Sequence, residues 1–156
     1  MKTVNAKKMD PAFKYEVAAR PGAENLKKCF SCGTCTSGCP VFQVESEYNP
    51  RKIIRMILLG LKDEVLRSKT IWLCARCYAC TANCPQEVNF ADIMTVLRDM
   101  AVEAGYAKPD RWEKIEAIHR AAHTFRKDSI NLLTGAGTVD KKQIRENIEK
   151  ALNELL

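Results

Sequence analysis

The residues with chemistry to offer are cysteines, and their order along the chain repeats. They read Cys29-Phe-Ser-Cys32-Gly-Thr-Cys35-Thr-Ser-Gly-Cys39-Pro40 and then Cys74-Ala-Arg-Cys77-Tyr-Ala-Cys80-Thr-Ala-Asn-Cys84-Pro85, and the two runs hold all eight cysteines of the 156-residue chain. Three thiols at i, i+3 and i+6 can wrap one short turn of backbone around a cube of iron and sulfide and supply three of its corners. The fourth is steered elsewhere, because a proline disfavours the α region in the residue before it, here Cys39 and Cys84. In runs of this form the fourth cysteine ligates the other of two clusters. The expected ligand sets are therefore Cys29, Cys32, Cys35 and Cys84 for one [4Fe-4S] cluster and Cys74, Cys77, Cys80 and Cys39 for a second. Cross-ligation of this kind makes cluster assembly and folding a single event.

Three other uses of cysteine fit less well. Structural zinc takes two separated C-x2-C pairs around one tetrahedral ion, and a third thiol two residues further on has no role there. A disulfide framework belongs to an oxidising compartment, whereas the start Met-Lys-Thr-Val-Asn-Ala-Lys-Lys has no apolar stretch of the kind a secretory leader needs; the expected location is cytoplasmic. A redox dithiol would be one pair after a strand, and here the pairs overlap in threes between helical patterns.

The elements that must position these thiols read as helices. Residues 1–9 are polar and lysine-bearing, an expected mobile arm. Asp10-Pro11 has the order of a cap followed by proline at the first helical position, with Phe13, Val17 and Ala18 on one side and Pro21-Gly22 as the stop. A short helical entry from Glu24 to Lys28 leads into the first run. Between the runs, Asn49-Pro50 repeats the cap-plus-proline signal ahead of Ile53, Ile54, Ile57, Leu58 and Leu61 at helical spacing, with Gly60 as a stop before a short helix from Leu61 to Leu66. Nothing in this connection alternates with period two, which argues against the small βαβ-type ferredoxin fold, whose cysteine runs are joined by strands and a short helix. The cysteine runs recur in register, every cysteine of the first standing 45 positions before its counterpart, which suggests a duplication.

After the second run, Asn89 is placed to cap a helix carrying Phe90, Ile93, Met94, Leu97 and Met100 inward and ending near Gly105. Pro109-Asp110 starts another, with Trp112, Ile115, Ile118, Ala122 and Phe125. A break at Thr134-Gly-Ala-Gly-Thr138 precedes a last helix with a narrow stripe of Ile144, Ile148, Leu152 and Leu155. That stripe is suited either to packing on the domain or to docking a partner chain. The expected organisation is residues 1–9 as arm, 10–106 as the cluster-bearing helical domain and 107–156 as a helical extension available for docking.

Composition narrows the function classes. With 46% hydrophobic residues the chain has enough apolar side chains for one modest core. The formal charge of +6 falls to roughly +2 once two tetrathiolate clusters of about −2 each are counted, which removes the case for nucleic-acid binding. The longest apolar run, Ile53 to Leu61, is interrupted by Arg55 and falls short of the ~18 residues of a membrane span. Gly135-Ala-Gly137 lacks the third glycine and the preceding strand of a dinucleotide fingerprint, and His119 and His123 lack the acidic residue of a metalloprotease helix. Trp72 stands before the second run and Tyr78 within it, both read as water shields, and Arg76 stands between two ligands, where it can raise a cluster's potential or reach a partner's carboxylate.

Beyond the cysteines, Glu24-Asn25-Leu26 before the first run, Arg51-Lys52-Ile53-Ile54-Arg55, Gly60-Leu61-Lys62-Asp63-Glu64-Val65-Leu66 and Ile71-Trp72-Leu73 before the second closely resemble the C subunit of heterodisulfide reductase and its bacterial relatives in sulfur-oxidising complexes. The resemblance covers residues 10 to 106 and thins beyond Tyr106; Arg76 stands where many relatives carry a small polar residue. It implies an all-α fold, an α-helical ferredoxin with two [4Fe-4S] clusters. It also implies an electron-transfer role between an HdrA-like flavin subunit and an HdrB-like subunit whose CCG domains carry the disulfide or sulfur chemistry. The chain has no Cys-Cys dipeptide and no ninth cysteine, so by this resemblance it conducts electrons and holds no catalytic residue. Two other roles share the motif: the iron–sulfur subunit of a glycolate-oxidase or fumarate-reductase type dehydrogenase, told apart by the neighbouring subunits, and a free ferredoxin, told apart by being monodisperse alone.

Overall fold

The structure is a computed structural model that describes residues 9–155, with side chains to residue 153. The expected mobile arm therefore lies outside the described residues except for Met9, as does the Leu155 side chain. Among the described residues the regular structure is entirely helical, in agreement with the absence of period-two patterning.

The described residues up to Ala107 form one compact unit. Asn49-Pro50 acts as its order implies: Pro50 opens α4 (Pro50–Leu58) and the Asn49 side chain accepts from the Lys52 amide at 3.0 Å, so one of the orphan donors of the first turn is satisfied. Helix α4 buries Ile53, Ile54 and Ile57. Asp10-Pro11 instead forms a turn, in which Asp10 Oδ1 accepts from the Ala12 amide at 2.9 Å, and α1 (Phe13–Ala18) begins only after it. Gly60, with φ +77°, accepts the Asp10 amide at 2.8 Å on its carbonyl, and a side chain there would meet the Asp10 backbone. The chain entry is thus pinned to the end of α4, ahead of α5 (Lys62–Leu66).

Each cysteine run is preceded by a 3-10 helix, Glu24–Lys28 and Lys69–Trp72, and contains a single-turn helix, α2 (Thr34–Ser37) and α6 (Ala79–Ala82). Pro40 opens a further turn, α3 (Pro40–Val44), with Cys39 extended at φ −87°, ψ 117°, the conformation a following proline favours. Helix α7 (Phe90–Glu103) is the central strut, buried on almost every side. Asn89 occupies its N-cap position without a side-chain bond to the first turn. Helices α1, α5 and α6 and the 3-10 helix Lys69–Trp72 pack on α7, while α2 packs against both α4 and α6. The last of these contacts brings the two cysteine runs side by side.

The residues from Lys108 form a second unit, a hairpin of α8 (Arg111–Thr134) and α9 (Lys141–Leu155) that turns at Gly135, φ +67°. Its interior is thin. Ile144 is buried, and the buried Asp128 carboxylate meets Lys127 Nζ at 3.2 Å and Asn147 Nδ2 at 3.2 Å. Of the expected α8 stripe, Trp112 and Ile115 are half-buried, while Ile118, Ala122 and Phe125 are exposed. No helix among the described residues is long and apolar enough to cross a membrane.

Candidate metal centre

The register of 45 seen in the cysteines is a register of backbone geometry. Residues Ser31 (φ 62°) and Arg76 (φ 48°) correspond, as do Gly33 (φ 92°) and Tyr78 (φ 59°), and all four are left-handed. The same amides close the same turns: Thr36 and Thr81 bond back to the Gly33 and Tyr78 carbonyls at 2.9 and 3.0 Å, and Cys39 and Cys84 bond back to the Thr36 and Thr81 carbonyls at 3.2 and 3.3 Å. Left-handed residues set between right-handed ones turn successive amides to one side, the anion-binding concavity found at many iron–sulfur sites. Each non-glycine held this way costs about 1–2 kcal/mol, so Ser31, Arg76 and Tyr78 mark positions where the surroundings impose the conformation.

The structure sorts the eight thiols into two cavities. One is lined by Cys29, Cys32, Cys35 and Cys84, with Arg51, Ile54, Val88 and Phe90 around them. The other is lined by Cys39, Cys74, Cys77 and Cys80, with Val41, Tyr48, Pro50 and Phe90. Each cavity thus takes three thiols from one run and the fourth from the other, and Phe90 of α7 stands between them. Among the described residues no three His, Cys, Asp or Glu side chains converge so as to hold a single metal ion. Four thiols line each of the two spaces, a donor set of the number and type that a [4Fe-4S] cluster takes.

Burial and hydrogen bonding differ among the thiols. Burial raises Cys35, and it pushes Cys80 up to about 11, with the neighbouring Cys74 adding to the effect. The exposed Cys32 is lowered instead, chiefly by the Thr34 hydroxyl 3.3 Å away. Cys84 Sγ accepts from the Val88 amide at 3.3 Å. Ligands must be thiolates, so the buried thiols must shed protons as metal enters. The buried Thr81 hydroxyl lies beside the Cys80 thiol and lowers it against the effect of burial. Its counterpart Thr36 is fully engaged, donating to Asn49 Oδ1 at 3.1 Å and accepting from the Arg51 amide at 3.0 Å.

Two contributors escape sequence reading. Tyr48, 1% exposed, faces the second cavity, and burial together with the Cys74 thiol raises its hydroxyl well above the usual phenol value. Arg98, fully buried on α7, donates to the carbonyls of Ile71, Trp72 and Cys74 at 2.8, 3.3 and 3.0 Å and so holds the entry to the second run. Trp72 is buried, as a shield should be, whereas Tyr78 is 40% exposed with its hydroxyl donating to Asp92 Oδ1 at 3.2 Å. His123 is exposed and His119 half-buried.

Thiol-lined cavities between single-turn helices, carried on an all-helical scaffold, define an iron–sulfur protein of the α-helical ferredoxin class, and the 4Fe-4S dicluster domain family matches residues 25–88. Similar proteins extend further along the chain. The C subunit of H(2):CoB-CoM heterodisulfide,ferredoxin reductase from Methanothermobacter marburgensis is 39% identical over 117 residues, covering 75% of this chain and 58% of its own length. The C2 subunit of the H(2)/formate:CoB-CoM heterodisulfide,ferredoxin reductase from Methanococcus maripaludis is 36% identical over 84% of this chain and 71% of its own. A heterodisulfide reductase C-subunit-like protein from Archaeoglobus profundus is 31% identical over 90% of this chain and 74% of its own. The chain belongs to the family of heterodisulfide reductase C subunits. It spans 58% of the length of the Methanothermobacter relative and about three quarters of the Archaeoglobus one.

Proposed function

We propose that this chain is the electron-transfer subunit of a heterodisulfide-reductase-like complex and holds two [4Fe-4S] clusters, one on Cys29, Cys32, Cys35 and Cys84, the other on Cys39, Cys74, Cys77 and Cys80. The observation that carries this reading is the division of the thiols between two cavities, three from one run and one from the other in each. Bound there, a [4Fe-4S] cluster supplies a one-electron couple whose potential follows charge, hydrogen bonds to sulfur and exposure. The protein's part is positional. The cysteines fix each cluster, Ile54, Val88, Phe90 and Tyr48 keep water from it, and the exposed Cys32 and Cys77 present one edge of each to the surface.

A subunit, as opposed to a free carrier, is favoured by the second unit. Ile118, Phe125, Leu133, Ile148 and Leu152 are exposed on its hairpin, with Leu133 85% exposed, which leaves this unit with apolar side chains available for contact with another chain. In this reading the domain from residue 10 to 106 carries the clusters and residues 107–156 dock a partner. The partners are an HdrA-like flavin subunit that delivers electrons and an HdrB-like CCG-domain subunit that uses them in heterodisulfide reduction, or the same chain of carriers run in reverse in sulfur oxidation. Two measurements test it. Anaerobically purified protein should contain about eight irons per chain, as two four-iron clusters require, and a value near four would refute the assignment. The native assembly should contain a flavoprotein and a CCG-domain chain; an FAD-linked oxidase in their place would assign the chain to a glycolate-oxidase type complex.

A further inference from the structure

The two cavities are not equivalent in the groups behind them, although the backbone around them repeats. The position corresponding to Arg98 in the 45-residue register is Ile53, and the position corresponding to Tyr48 is Ile93; both isoleucines are buried. Among the described residues, the cavity of Cys39, Cys74, Cys77 and Cys80 has phenols in its wall, the buried Tyr48 and the partly exposed Tyr78, and the other has none. Each wall carries one arginine that is not buried, Arg51 in the first and Arg76 in the second. Only the second has in addition a fully buried guanidinium, that of Arg98, bonded to the carbonyl of one of its ligands, Cys74, at 3.0 Å. Arg98 also stands 5.8 Å from the Trp72 ring centroid, so its charge is enclosed on the protein side of the loop.

We propose that Arg98 and Tyr48 selectively raise the reduction potential of the cluster held by Cys39, Cys74, Cys77 and Cys80, Arg98 by a buried positive charge behind Cys74 and Tyr48 by donating its hydroxyl to the Cys74 thiolate. The inference rests on the cluster assignment above. Its physical basis is charge. A cubane with four thiolates carries about −2 when oxidised and gains one further negative charge on reduction. A fixed cation and a hydrogen-bond donor stabilise the more negative form more, so both ease reduction. They act where they are needed: Cys39 and Cys74 are buried, and burial alone disfavours added charge. The buried setting also spares Arg98 the solvent screening that weakens exposed lysines such as Lys27 and Lys28. Arg98 is a positioning residue in this account, since it acts through Cys74. The step is a one-electron reduction by an external donor, with no bond broken and no proton taken up.

The test is an EPR-monitored titration of the whole cluster-loaded protein with dithionite, with Cys77→Ser marking the signal of the cluster in question. Tyr48→Phe, which keeps the ring, and Arg98→Met should each make that cluster about tenfold harder to reduce, ~59 mV for a one-electron couple, and leave the other cluster where it was. Arg98→Lys, which keeps the charge, should restore most of the wild-type potential. Equal shifts in both clusters, or an Arg98→Lys protein indistinguishable from Arg98→Met, would overturn the inference. So would an unshifted Tyr48→Phe, which also decides the matter if Arg98→Met fails to fold. A wild-type iron content near four would undo the cluster reading itself, and that failure is visible before any substitution is made.

Discussion

The loop from Cys29 to Cys39 and the loop from Cys74 to Cys84 place left-handed residues at the same two points, but the first fills them with Ser31 and Gly33 and the second with Arg76 and Tyr78. A glycine suits a left-handed position at no steric cost. Tyr78 does not, and it is secured by its hydroxyl on Asp92. The supports behind the loops differ as well. Thr36 ties the first to the N-terminus of α4 through Asn49 and the Arg51 amide, while the second hangs by three carbonyls from the guanidinium of Arg98. The paths beyond the fourth cysteines also diverge: Pro40 opens a helical turn, whereas after Pro85 the chain turns through Glu87 at φ 52° without one. The common requirement is therefore the backbone path around the cavity. Residue type is free to vary wherever another contact can hold that path.

Substitutions can break this comparison one support at a time, read as unfolding free energy from urea titration of the cluster-loaded protein. Arg98→Met should be the most damaging, because buried carbonyls lose a charged donor; the expected loss is about 3–5 kcal/mol, falling on the second loop, where cluster bleaching should begin. Asn49→Ala removes the α4 cap and the acceptor of Thr36 together and should cost about 2 kcal/mol, with bleaching beginning at the first loop. Gly33→Ala should cost about 1 kcal/mol from its φ alone, since the new Cβ would meet Arg51 at an ordinary 3.8 Å. Tyr78→Phe should be the mildest, about 0.5 kcal/mol for an exposed hydrogen bond. If Gly33→Ala proved as costly as Arg98→Met, the loops would be limited by their own conformation and the supports would matter little.

Much of this was legible in the sequence because the strongest local signals and the tertiary structure agree. The cap-plus-proline order at Asn49-Pro50, the glycine stop at Gly60 and the 3-10 turn at Glu24–Lys28 all stand where the chain order puts them. Asp10-Pro11 misleads by a turn because Asp10 spends its carboxylate on Ala12 and its backbone on Gly60. Single-turn helices such as α2 and α6 are too short to show a period. Tyr48 and Arg98 were missed for a different reason: a lone polar residue is ordinarily a solvated one. The signal for Arg98 was its register, since Ala91, Met94, Arg98 and Ala101 form one stripe of α7 and all are buried. For the second unit, periodicity revealed helices but not burial. A stripe such as Ile118 and Phe125 looks the same whether it faces a core or, as here, is left exposed.

The division of the thiols is tested most directly by Cys39→Ala, with iron and EPR signals measured on the anaerobically purified protein. The expected product keeps about four irons per chain, and its surviving signal is altered by a second substitution at Cys32 and not by one at Cys77. Loss of the signal that depends on Cys32, with the Cys77 signal intact, would show that each run closes its own cluster and would contradict the exchange of ligands between them.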